Sequence, residues 1–118
     1  MNNIKIVGVG SYIPDIIKKN EDFLKNEFFK QDETAFDAHP EVIIKKFQAI
    51  TGIEERRYVS NELNMSDIAT FAAEKAIKDS GIDPETLDYI IVAHNFGDVS
   101  HDKQQADTVP SIASRVKE

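Results

Sequence analysis

Four side chains in one polar stretch, His94, Asp98, His101 and Asp102, carry the donor types of a divalent-metal site. Their spacing falls in a loop, with no helix or strand to order it and no partner to orient the imidazole rings. A solvated loop is the reading that this setting favours, so no metal site is expected. His39, between Asp37 and Glu41, fails for the same reason. Gly8-x-Gly10 has the opening of a dinucleotide fingerprint, but the third glycine is missing and Pro14 interrupts the helix that would face the phosphates. Glu54-Glu55-Arg56-Arg57 reads as a solvated, self-pairing strand. Arg56 and Arg57 would also offer two cations to an acidic partner. There is no cysteine, which removes disulfides, thiolate ligands and a cysteine nucleophile from these residues. No catalytic residue and no cofactor is expected among them.

The elements that would position these groups follow from apolar period and punctuation. Ile4, Ile6, Val7 and Val9 form a β-branched run ending at Gly8–Gly10, the pattern of a buried strand. Residues 11–14 read as an extended exit before Pro14. Asn20, followed by Glu21 and Asp22, predicts a helix start with Phe23, Leu24 and Phe28 on its buried face. Residues 30–40 lack a period and read as a loop. Pro40-Glu41 opens a second helix with Val42, Ile43, Phe47 and Ile50 as its apolar stripe and Gly52 as its stop. Residues 53–60 are a strand candidate. The clearest helix spans 66–80, capped by Ser66, with Ile68, Phe71, Ala72, Ala76 and Ile77 on one face and a Glu74–Lys78 pair on the other. Its alanines allow close approach to a neighbour, and Gly81 suits the left-handed position that ends it.

Residues 83–85 start a further turn, and 89–93 form a continuous apolar strand of the kind buried on both faces of a parallel sheet. A polar loop over 94–107 leads to a last helix opened by Pro110-Ser111 and carrying Ile112, Ala113 and Val116. The order of strand, helices, strand, helix and strand is an α/β pattern. Phe23, Phe28, Phe47 and Phe71 read as core, not as a ligand box.

Composition agrees with a soluble domain. The 118 residues are 41% hydrophobic and 30% charged, with a formal net charge of −7. A chain of this length buries about two-thirds of its unfolded surface. The acidic balance and scattered basic residues argue against nucleic acid as a partner. The longest apolar runs are too short to span a bilayer, so no membrane segment is expected. No basic stretch followed by an apolar one opens the chain, so a cytoplasmic location is the expectation.

A set of collinear blocks carries a family resemblance. Ile6-Val7-Gly8-Val9-Gly10-Ser11-Tyr12-Ile13-Pro14 and Asn20-Glu21-Asp22-Phe23-Leu24 resemble the opening of ketoacyl-ACP synthase III. Ile50-Thr51-Gly52-Ile53-Glu54-Glu55-Arg56-Arg57 is similar to that family's threonine-glycine-isoleucine-basic-glutamate-arginine segment. Residues 67–77, 79–82 and 87–93 follow in the same order, with longer loops at about 26–40 and 94–108. The resemblance implies a partial thiolase-like fold, the incomplete amino-terminal half of an αβαβα layered architecture, with residues 1–118 as one piece of it. It also implies an acyltransferase that joins an acyl thioester, from acyl-CoA or acyl-ACP, to malonyl-ACP.

In such enzymes a cysteine takes the acyl group and a His–Asn pair stabilises the enolate. The resemblance places all three beyond Glu118, so the chain alone is expected to be inactive. It further implies that Lys46 and Ile50 occupy positions whose counterparts grip the coenzyme A adenine. Neither can stack as a tryptophan does, which points to a different acyl donor or a carrier-loaded one. Val109 matches a position that reaches across a homodimer into the partner's acyl pocket. Arg56 and Arg57 are candidates for carrier docking. Two other readings stay open: a thiolase or hydroxymethylglutaryl-CoA-synthase relative, and a stand-alone module that binds a carrier protein without chemistry. Uncovered apolar faces and strand edges predict association of the isolated chain.

Overall fold

The computed structural model describes residues 3–99, 105–107 and 109–118. The chain divides into two compact units: Pro14–Val59, and Met1–Ile13 together with Ser60–Glu118.

The first of these units is a two-stranded antiparallel sheet with one helix. Strand β1 (Ile16–Lys19) pairs with β2 (Glu55–Tyr58) in the register Ile16↔Tyr58, Ile17↔Arg57, Lys18↔Arg56 and Lys19↔Glu55. β2 lies inside the predicted 53–60 strand, whereas β1 falls in a stretch to which the sequence pattern assigns no element. The helix expected at Asn20 is a single 3-10 turn, Asn20–Phe23. The Lys19 amide donates to the Asp22 carboxylate at 2.8 Å, and Asn20 Nδ2 donates to the Ile53 carbonyl at 2.9 Å. These bonds tie the turn to the approach of β2, so the polar residues serve the turn and no longer helix follows.

Helix α1 (Pro40–Thr51) starts and stops where the punctuation predicts. Proline occupies its first turn, where a missing N–H costs nothing. Gly52 adopts φ 67° and its amide bonds the Gln48 carbonyl, the left-handed ending that glycine favours. The buried side differs from the predicted stripe. Ile43 is buried, while Val42, Phe47 and Ile50 are exposed. Phe28 meets Phe47 edge-on at 6.1 Å, so Phe47 packs along one side only.

The second unit is organised by helix α2 (Met65–Ser80). Its cap is Asn64, not Ser66: the Asn64 amide donates to the Asp67 carboxylate at 2.7 Å, the reciprocal arm of a capping box. Gly81 ends it at φ 68°. The extended segment 8–12 lies along this helix. A Cβ at Gly8 would meet the Ala76 carbonyl at 2.5 Å, and one at Gly10 would run into the backbone at Ala72 and Ala76. Glycine on one side and alanine on the other permit that approach. The Val9 amide donates to Asp79 at 3.0 Å, and Tyr12 stacks tilted on Phe71 at 5.1 Å. The expected Glu74–Lys78 pair is not among the ion pairs of the described residues. Pro84–Thr86 forms a 3-10 turn, and helix α3 (Ile112–Lys117) begins after Ser111, whose Oγ accepts from the Ser114 amide. Among the described residues of this unit, Ile112 is the buried apolar one.

The two strands expected at 4–9 and 89–93 do not form. Ile4 is fully exposed and Ile91 is 92% exposed. A β-branched run becomes a strand only when a neighbouring strand completes its hydrogen-bond ladder, and the sheet of the described residues consists of β1 and β2 alone. The result is a small mixed α/β arrangement whose sheet is antiparallel, not the parallel one anticipated. Among the described residues no helix is long and apolar enough to cross a membrane.

Candidate functional site

Within the unit Pro14–Val59, Lys46 and Ile50 stand one turn apart on α1, both exposed. Ile50 is 70% exposed, and Val42, two turns earlier on the same face, is also open to solvent. This face presents two apolar side chains and one ammonium, with no aromatic ring. It can cover an apolar or anionic surface but cannot sandwich a base.

Arg56 and Arg57 are adjacent in β2 and therefore point to opposite sides of the ladder. The Arg56 guanidinium donates to Asn20 Oδ1 at 3.2 Å and lies 5.7 Å from the centroid of Phe23. With Phe23, Phe28, Ile44, Phe47 and Tyr58 it lines a cavity of about 230 Å³. The guanidinium is thus engaged inside its own unit by one hydrogen bond and one ring contact. Arg57 pairs with Glu55 at 3.4 Å, both about half-exposed, and stays available to an external anion. Lys18, directly across from Arg56, has no ion-pair partner among the described residues.

The metal reading of the 94–102 stretch gains nothing. No group of three or more metal-ligating side chains occurs among the described residues. His101 and Asp102 lie outside those residues, and His94 is exposed. Asp37 is held by Lys30 at 3.2 Å, while His39 precedes α1 as its cap residue.

Asp98 departs from the solvated-loop expectation: it is 3% exposed. Its carboxylate accepts from the Ser66 amide at 2.8 Å and from the Ser66 hydroxyl at 2.6 Å, and it pairs with Arg115 Nη1 at 3.3 Å. Ser66 lies in the first turn of α2, where the helix dipole favours an anion. Arg115 also reaches Asp107 at 3.6 Å and donates from Nε to the Pro110 carbonyl at 3.3 Å. Nothing local in the sequence announces this cluster, since its members are drawn from three separate segments. Val109, immediately before Pro110, is 84% exposed. Bonds from the Thr34 hydroxyl and amide hold the Asp32 carboxyl below its usual range.

The geometry thus presents exposed faces on α1 and β2 and, in the other unit, a polar joint around Asp98. No family model matches the sequence. The chain is 40% identical over 118 residues to a β-ketoacyl-acyl-carrier-protein synthase III of Clostridium acetobutylicum, covering all of this chain and 30% of that protein. It is 36% identical over 116 residues to the protein of the same description from Staphylococcus haemolyticus, and 35% identical over 116 residues to that of Staphylococcus aureus. Each of these two alignments takes in 98% of this chain and 30% of the relative. The chain therefore belongs to the β-ketoacyl-acyl-carrier-protein synthase III family. It spans about a third of the length of the curated relatives it matches, consistent with an amino-terminal portion.

Proposed function

We propose that these 118 residues are the amino-terminal part of a decarboxylating condensing enzyme that joins an acyl thioester to malonyl-ACP in fatty-acid or polyketide synthesis. The observation that carries the reading is the 40% identity maintained over every residue of the chain. In this reading the complete protein has the layered thiolase-type fold, works as a cytoplasmic homodimer, and draws its nucleophile from outside residues 1–118. The absence of cysteine from the sequence supports the last point. A low-pKa thiolate would accept the acyl group and split one difficult step into two. Donors aimed at the developing enolate oxygen would then stabilise the product of decarboxylation.

The chain's own contribution is positional. The exposed α1 face with Lys46 and Ile50 lies at the mouth that admits the acyl donor, without the stacking that holds an adenine. Val109 meets the acyl chain across the dimer, in keeping with its exposure here. Arg57 is the better candidate of the two arginines for carrier docking, because Arg56 is engaged by Asn20 and Phe23. The stand-alone binding module is disfavoured by Ile4, Ile6, Tyr89 and Ile91, whose side chains are almost fully exposed.

The test is turnover by the longer protein read from the same gene. With malonyl-ACP and a set of acyl-CoA and acyl-ACP donors, it should release carbon dioxide and form a 3-oxoacyl-ACP. Condensation of two acyl-CoA molecules without malonyl decarboxylation would instead place it among the thiolases.

A further inference from the structure

The cluster around Asp98 is the most heavily bonded polar feature of the described residues, and neither the family assignment nor the proposed chemistry uses it. It forms a continuous chain of contacts. The Ser66 amide and hydroxyl donate to Asp98 at 2.8 and 2.6 Å. Asp98 holds Arg115 Nη1 at 3.3 Å, and Arg115 Nε donates to the Pro110 carbonyl at 3.3 Å. The Pro110 carbonyl is one residue from Val109. A second strut braces the same joint: the Asp107 amide donates to the Asp98 carbonyl at 2.8 Å, and Arg115 Nη2 pairs with the Asp107 carboxylate at 3.6 Å. Gly97 lies so close to the Asp107 carbonyl that any Cβ there would collide with it.

Guanidinium suits this place because its planar fork serves three acceptors at once, which an ammonium cannot reproduce. The Asp98 carboxylate is almost fully buried, so its bonds are not exchanged for water. α3 has six residues, too few to hold a helix by themselves, so its placement depends on the buried Ile112 and on these bonds.

We propose that Asp98 and Arg115 are positioning residues for Val109. They fix the start of α3 against the first turn of α2, and so fix where the Val109 side chain stands and which acyl chains it admits. The proposal rests on the reading above that Val109 meets the acyl chain.

The test uses the longer protein with Asp98→Ala, Arg115→Ala, Arg115→Lys and Val109→Ala, and Glu74→Gln as an exposed control on α2. Two quantities are read: the ratio of kcat/KM for a short and a long acyl donor, and amide hydrogen exchange at Ser66 and over residues 111–117. Asp98→Ala should shift the donor ratio by about tenfold, as loss of bonds to a charged group implies. It should also speed exchange at Ser66 and over 111–117. Val109→Ala should move the ratio without changing exchange. The two together should shift the ratio by less than the product of their separate effects, because they act on one contact. Arg115→Lys should resemble Arg115→Ala, because charge without the fork does not hold Pro110.

If Val109→Ala changes the ratio and folded Asp98→Ala does not, the positioning role is refuted while the proposed function stands. A protein with no condensing activity refutes the function. Exchange then decides the joint by itself, and unchanged protection over 111–117 in Asp98→Ala overturns it. Should Asp98→Ala fail to fold, Ser66→Ala replaces it. That variant removes the 2.6 Å hydroxyl bond and keeps the amide bond, and an unchanged donor ratio together with unchanged exchange overturns the proposal.

Discussion

Gly10→Ala probes the packing that defines the larger unit. The added methyl would meet the Ala72 carbonyl, the Ala76 amide nitrogen and, at 2.9 Å, the Lys75 carbonyl carbon. All three are helix backbone, so no flexible side chain can swing away. Two responses are open, and the milder sets the cost. If the segment stays docked, overpacking costs about 1–3 kcal/mol. If it lifts off α2, it loses the Val9–Asp79 bond, the Tyr12–Phe71 stack and the Lys75–Ser11 bond. The first two are worth roughly 1–2 kcal/mol and 0.5–1.5 kcal/mol. The Lys75 bond is exposed and adds little. The milder of the two therefore sets a loss of about 1–3 kcal/mol. Urea unfolding of wild type and variant measures the total, and hydrogen exchange at the Val9 amide separates the routes. Lift-off strips protection from Val9, whereas strain leaves it in place. A loss below about 0.5 kcal/mol, the range of an ordinary surface substitution, with Val9 still protected, would refute the close approach of segment 8–12 to α2.

Two further outcomes follow from the smaller unit. Arg56→Ala should destabilise it by about 1–2 kcal/mol through loss of the Asn20 bond and the Phe23 contact, while Arg57→Ala should stay within about 0.5 kcal/mol; denaturant midpoints of the two variants check the contrast, and equal losses would contradict it. Thr34→Ala should raise the Asp32 pKa toward the ordinary aspartate range, because the Thr34 hydroxyl and then its amide are what depress it. A depressed carboxyl stabilises its turn above the unfolded pKa, and that contribution fades as pH falls through the folded value, so the variant should respond less to acid; side-chain carboxyl NMR titration reads this directly.

What the sequence made legible is local. Pro40, Gly52 and Gly81 mark helix ends through backbone conformation alone, and each ends or begins a helix where expected. Ser111, where the last helix is expected to open, caps α3 through its hydroxyl instead. Ser66 misled because Asn64, two residues earlier, satisfies the first turn of α2 with Asp67, which leaves the Ser66 amide for Asp98. That second partner lies 32 residues away in sequence, so no window reading could find it. The runs at 4–9 and 89–93 have strand composition, but a ladder is a property of two segments. β1 was missed for the converse reason: Ile16-Ile17-Lys18-Lys19 is half basic, and it pairs because β2 lies beside it. At the candidate site, the α1 positions Lys46 and Ile50 could be placed from the helix alone. The engagement of Arg56 by Asn20 and Phe23 required the fold.

Covalent acylation tests the division of labour most directly. The isolated 118-residue chain and the longer protein are each incubated with an acyl thioester, and intact-mass spectra are recorded. The longer protein should gain one acyl group on a cysteine, and the isolated chain should gain none. An acyl adduct on the isolated chain, or an acylated longer protein whose modified residue maps within 1–118, would contradict the account.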